Sequence, residues 1–227
     1  MIDWLEHQYP DPPVIPRDPV LRFLSKLVED YADEWCWRAA LDWRWIPKES
    51  RKLLMHRIGH EVMRDFPAPS SLAGWYYGRR QIATFLSGDG LDAKTEAVIR
   101  QSYLDLLDNM DLLLRDQPYL LGSHPTLVDF GLFGPMFRHD AQDPTPSRVM
   151  EEHAPAVYAW VGRMWNARAS RLGREPKLGD FSQPGWAYFP RESVRSYRPF
   201  LVANARAGRL VRSGSTTRPT SRASCSR

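Results

Sequence analysis

Few side chains in this 227-residue chain combine the residue types and the spacing that chemistry demands. His56 and His60 stand four residues apart, as two zinc ligands on one helical face do. No glutamate follows His56 and no third ligand is marked, so both read as solvated helix histidines and no metal site is assigned. A reactive thiol needs a neighbouring cation or a helix start to lower its pKa, and nothing in the sequence assures one beside Cys36, which reads as an inert, buried or half-buried thiol. Cys225 lies far from it in a polar tail, which excludes a disulfide framework and a cysteine-based zinc site. Glycine-rich phosphate loops, Gly-x-Ser-x-Gly elbows and paired catalytic carboxylates are absent from the sequence. No catalytic residue is assigned.

The most specific local pattern is Thr126-Leu-Val-Asp129, immediately ahead of an apolar run. The threonine hydroxyl can accept from the backbone N–H three residues on, and the carboxylate can reach back to the N–H of Thr126. That is a capping box with aspartate in place of the usual glutamate, and it assigns Thr126 and Asp129 a structural role rather than a catalytic one.

The elements around these residues are helical. Asp18 as N-cap and Pro19 in the first turn open a helix in which Leu21, Leu24, Val28, Tyr31 and Trp35 recur at spacings of three and four. The pattern continues to Pro47, predicting one helix of more than twenty residues. A second helix fits Lys48 to Phe66 and a third Ser70 to Leu86, ended by Ser87-Gly-Asp-Gly90. The fourth starts at Asp92, carries Ile99, Tyr103, Leu106, Met110 and Leu113 on one face, and ends near Pro118. Thr126 to Phe133 is apolar nearly all round, which predicts a helix buried on every side and ended or kinked by Pro135. A last helix fits Ala156 to Ala169, with Val157, Trp160, Val161, Met164 and Trp165 as its stripe. No stretch alternates with period two, so the expected fold class is all-α.

Composition narrows the partners. With 43% hydrophobic and 26% charged residues the chain is that of a globular protein. Six arginines and no acid fall in residues 203–227, so the formal charge of +4 becomes −2 over residues 1–202, and a nucleic-acid partner is not expected of the body. The segment from Arg212 is almost wholly Ser, Thr, Arg, Pro, Gly and Ala, and is expected to be disordered. No apolar run approaches the roughly 18 residues of a membrane span. Residues 1–20 carry acids and five prolines where a signal peptide needs a basic start and an apolar core. A cytoplasmic protein with no membrane partner is the expectation.

With the capping box in place the chain resembles the C-terminal helical domain of the glutathione transferase family, in a bacterial-type branch. Tyr9-Pro-Asp-Pro-Pro13 with Pro16-Arg-Asp-Pro19 matches the interdomain connector. Tyr119-Leu-Leu-Gly122, Pro125-Thr-Leu-Val-Asp129-Phe130 and Ala154-Pro155 ahead of Trp160-Val-Gly-Arg-Met164 follow in family order. The resemblance implies a glutathione-transferase-like helical bundle with a buried, N-capped central helix. Its division is residues 1–19 as the end of a truncated N-terminal domain plus linker, 20–170 as the helical domain, 171–204 as an extension and 205–227 as a disordered tail.

The resemblance also bounds the function. In the family a thioredoxin-like domain holds glutathione as co-substrate and activates its thiol, and none of its motifs occurs here, so this chain alone is expected to bind no cofactor and to be inactive. The helical domain shapes the pocket for a hydrophobic electrophile and much of a dimer interface, which implies a possible homodimer. The first helix would be the pocket wall, with Tyr31, Trp35 and Arg38, spaced by four and three, as its substrate-side residues. A non-catalytic helical binding or dimerisation module is the alternative.

Overall fold

The computed structural model describes residues 2–65, 67 and 69–212. Among them the architecture is helical, with no extended strand and a single antiparallel bridge between Tyr119 and Gly122. The chain divides into two compact units, residues 1–188 and 189–227, and the division falls within a short helix. The second unit contains a wide, π-helical turn, Ser193–Tyr197, leading into a terminal helix, Arg198–Arg212.

In the first unit α1 (Ile2–Gln8) precedes a proline-rich linker. Asp18 then accepts from the Val20 and Leu21 N–H groups at 2.9 and 3.0 Å and opens α2 (Pro19–Glu34). The single long helix expected up to Pro47 does not form. Trp35 and Cys36 leave the regular helix, and α3 (Trp37–Trp45) departs separately. The break lets the two halves serve different partners: α2 packs on α7, whereas α3 packs on α6. It also carries Leu41 and Trp45 into a second apolar cluster with Leu54, Leu86 and Leu91, which an unbroken axis would not reach.

Next come α4 (Lys48–Val62) and α5 (Ser70–Gln81), which continues as a π-helical turn to Leu86, and Gly90, at φ +75°, turns the chain beyond it. These two helices approach closer than ordinary side chains permit. A Cβ on Gly74 would sit 2.0 Å from the Met55 carbonyl oxygen, and one on Gly59 would sit 2.1 Å from that of Ser70.

The centre of the unit is α6 (Glu96–Leu114), whose Tyr103, Leu106, Met110 and Leu113 are buried. Against α2 lies α7 (Leu127–Pro135), where Pro135 ends the regular helix and a π-helical turn, Met136–Asp140, takes over. This helix is not buried on every side, as its composition led us to expect: Phe130 is 41% exposed. Two helices then abut at Ala154, α8 (Pro144–His153) and α9 (Pro155–Trp165). The sequence patterns assign no helix to the residues of α8, which carry Pro144 and Pro146. Both stand in its first turn, where a missing N–H removes no helical bond. In α9, Val157, Trp160, Val161 and Met164 face the core, but Trp165, placed on the same stripe, is 66% exposed. Asp111 of α6 accepts from the Ala156 N–H at 2.8 Å, so α6 both packs on α9 and caps its first turn.

The terminal helix reaches Arg212, so residues 205–212, expected to lack structure, are helical. Residues 213–227 of the expected disordered tail lie outside the described residues.

Candidate functional site

The α2–α3 break brings two of the three proposed pocket residues to one place. Tyr31 is buried, and its hydroxyl lies 3.2 Å from that of Tyr188, which also reaches the Ser102 carbonyl at 3.3 Å. Tyr31, Trp35, Cys36 and Ala39 face Ser102, Tyr103 and Leu106 of α6 and Met136 and Asp140 of the π-helical turn across a cavity of about 10 Å³. That volume admits about one water. Arg38 does not line this cavity. Its guanidinium carbon sits 4.7 Å from the Trp35 ring centroid, a cation–π stack on the half-buried side of the break.

Beside the cavity lies a polar cluster that the sequence reading did not single out. Arg44 meets His139 Nδ1 at 2.6 Å and Asp143 Oδ2 at 3.0 Å, and Trp37 packs edge-on against the His139 ring. Burial pushes the carboxyl pKa of Asp140 well above the ordinary carboxylate value, with the Asp143 charge adding to it and Arg44 opposing. Burial also raises Asp143, against Arg44. For His139 burial comes first and the Arg44 and Arg138 charges second, and together they lower its pKa to about 4. The imidazole is therefore neutral near pH 7 and accepts from Arg44 at Nδ1. The only sequence signal was the run His139-Asp140-x-x-Asp143 just after Pro135, since its partner Arg44 lies 95 residues from His139.

His139 carries a pH signature. Its folded pKa lies below its unfolded value, so its contribution is fully present above pH 6.5 and is lost as pH falls toward 4. Asp140 and Asp143, raised, act in the opposite sense, so the effect must be read against a variant. The stability advantage of the wild type over His139→Gln should grow by up to about 3 kcal/mol between pH 4.5 and 7. Urea midpoints of both proteins at the two pH values measure it, and an advantage that stays constant would refute a buried neutral imidazole.

The capping pair is built into α7. Asp129 is fully buried and accepts from the Thr126 N–H at 2.9 Å and from its hydroxyl at 3.3 Å through Oδ2. Through Oδ1 it accepts from the Leu120 N–H at 2.9 Å and the Trp160 Nε1–H at 3.1 Å. One carboxylate thus ties the Tyr119–Gly122 turn, the start of α7 and the middle of α9. Burial raises its pKa, and these four donors pull the other way.

The remaining candidates are surface features or buried. The exposed His56 and His60 rings of α4 lie parallel with centroids 6.3 Å apart, and no group of three His, Cys, Asp or Glu is placed to hold a metal among the described residues. Cys36 is buried. Among the described residues no helix is long and apolar enough to cross a membrane.

Residues 93–167, which comprise α6 to α9 with the capping pair and the Asp111 cap, match the family model of the glutathione S-transferase C-terminal domain. Over that segment, about a third of the 227 residues, the chain is similar to glutathione S-transferase C-terminal domains. No curated protein and no solved structure matches the chain. Within the matched residues lie one wall of the small cavity and the buried acids Asp129, Asp140 and Asp143. Tyr31, Trp35 and Arg38 lie N-terminal to the matched residues.

Proposed function

We propose that this chain is the helical part of a glutathione-dependent transferase and that the α2–α3 break supplies the apolar wall against which an electrophile is held for attack by the glutathione thiolate. The observation that carries the reading is the similarity of residues 93–167 to the glutathione S-transferase C-terminal domain. Trp35 with Arg38 stacked over it forms the ligand side of the wall, and buried Tyr31 stands behind. An aromatic face with an adjacent cation suits a flat, electron-poor electrophile, since such a ring stacks on indole and its polar substituents meet the guanidinium. The 10 Å³ cavity itself is too small for such a molecule, so the ligand lies outside Trp35 rather than within. Holding glutathione and lowering its thiol pKa are assigned to residues outside these 227. The site would be soluble, cytoplasmic and, in the manner of the family, shared within a homodimer.

The alternative, a non-catalytic helical binding module, is favoured by one observation. An open, mostly apolar cleft of about 380 Å³ lies between α1, the linker and α7, with Leu5, Tyr9, Val14 and Phe130 along it.

A chloronitrobenzene electrophile tests both. The chain with glutathione should give no conjugation above a heat-killed control, yet the electrophile should quench its tryptophan fluorescence saturably. Trp35→Ala should weaken that binding by about tenfold, the loss of one aromatic stack. Saturable quenching untouched by Trp35→Ala would move the binding elsewhere and favour the module.

A further inference from the structure

The face of α4 opposite the core carries charges that no acid balances. Lys48 and Lys52 stand four apart, and Arg51 lies beside them. Like charges at this spacing destabilise a helix, and cations in its first turn oppose the positive end of its dipole. Lys48 opens α4 and Arg51 follows in its first turn. The nearest acid of that turn, Glu49, is already engaged by Arg148 at 2.8 Å. None of Lys48, Arg51 and Lys52 forms an ion pair among the described residues.

These side chains also converge on a shaped recess. Lys48, Arg51, Lys52 and His56 line one depression of about 370 Å³, together with Met55 and with Ser70 and Ser71 at the start of α5. The recess sits on a rigid floor, because α4 and α5 approach backbone to backbone at Gly59 and Gly74. Three cations and two hydroxyls on so small a surface match a compact anion with several acceptor oxygens. A nucleic-acid strand would require an extended basic track with aromatic rings for base stacking, and no aromatic carbocycle lines the recess.

We propose that the α4–α5 recess binds the phosphate group of a small phosphate monoester, held by Lys48, Arg51 and Lys52 with Ser70 and Ser71 as hydroxyl donors. The site is separate from the α2–α3 break and does not depend on the transferase reading. Occupancy removes the repulsion within the stripe, so the ligand stabilises α4 as it binds.

Calorimetric titration and thermal unfolding of the whole chain with inorganic phosphate, at ionic strength fixed with sodium chloride, test the site. Saturable binding and a rise in the unfolding midpoint are expected. The double substitution Arg51→Gln with Lys52→Gln should weaken binding by at least about tenfold, whereas Arg195→Gln, an exposed arginine of the second unit, should leave it unchanged. Lys48 and Lys52 are exposed and Arg51 is half-buried, and the single substitution Lys48→Gln provides an independent second variant with the same expected direction. Glycerol phosphate and phosphatidate vesicles distinguish a soluble phosphate from a lipid headgroup, and competition by the soluble ester with no vesicle sedimentation is expected. Absence of saturable binding, equal stabilisation by chloride, or equal weakening by Arg195→Gln would overturn the proposal, and so would vesicle sedimentation without competition by the soluble ester.

Discussion

Gly74→Ala should destabilise the first unit by about 3 kcal/mol or more, against the usual direction for a glycine inside a helix. Replacing such a glycine by alanine ordinarily stabilises by about 0.5–1 kcal/mol, because alanine is the better helix former. Here the added Cβ would lie 2.0 Å from the Met55 carbonyl oxygen and 2.9 Å from its carbonyl carbon. Those are backbone atoms of α4, with no rotamer to change, so relief requires the two helices to part. Parting them opens the contact at Gly59, where Ser70 approaches equally closely, and loosens Met55 and Ile58 from the Leu41, Trp45 and Leu54 cluster. Overpacking of this kind costs about 1–3 kcal/mol where side chains can adjust, and more where they cannot. Gly162→Ala in α9 is the matched control, since a Cβ there meets nothing within 4 Å. It should be neutral or stabilising by up to about 1 kcal/mol. Urea midpoints of the two variants should therefore move in opposite directions. Equal, small shifts would mean that α4 and α5 are not in backbone contact.

Asp129→Ala should cost about 3–5 kcal/mol, beyond the 0.5–2 kcal/mol of an ordinary lost cap. A solvent-exposed cap is replaced by water when it is lost. Asp129 is fully buried, so the Thr126 N–H and hydroxyl, the Leu120 N–H and the Trp160 Nε1–H lose their acceptor with no water to take its place. Asp129→Asn keeps one oxygen but turns an NH₂ toward two of those donors, and an intermediate loss is expected. The altered Trp160 environment gives a second readout, a change in indole emission at constant helical content. A denaturant midpoint within error of the wild type would show that the four donors find other acceptors.

The sequence by itself determined the helices whose signals are local. Asp18 with Pro19, Pro47, Ser70 after the Pro67–Pro69 stretch and Thr126 with Asp129 each act within one turn of the chain, and hydrophobic spacing within a helix is likewise read over a few residues. The all-α class and the resemblance to the glutathione transferase helical domain rest on such signals, and the family match covers the later part of that segment, residues 93–167. Tertiary structure decided whatever depends on a partner distant in the chain. Whether α2 and α3 would be one helix turned on α7 and α6 competing for its two halves, and periodicity runs through the break unchanged. Phe130 and Trp165 carry the same apolar label as their buried neighbours, and only the packing of α7 and α9 leaves them exposed. Gly74 looks like a weak point of a helix until Met55 is placed against it. Arg44 and His139 are 95 residues apart, and Asp129 gains Trp160 from 31 residues away. A capping signal fixes where a helix starts, but burial and pKa are set by everything packed against a group, and that sum exists only once the helices have met.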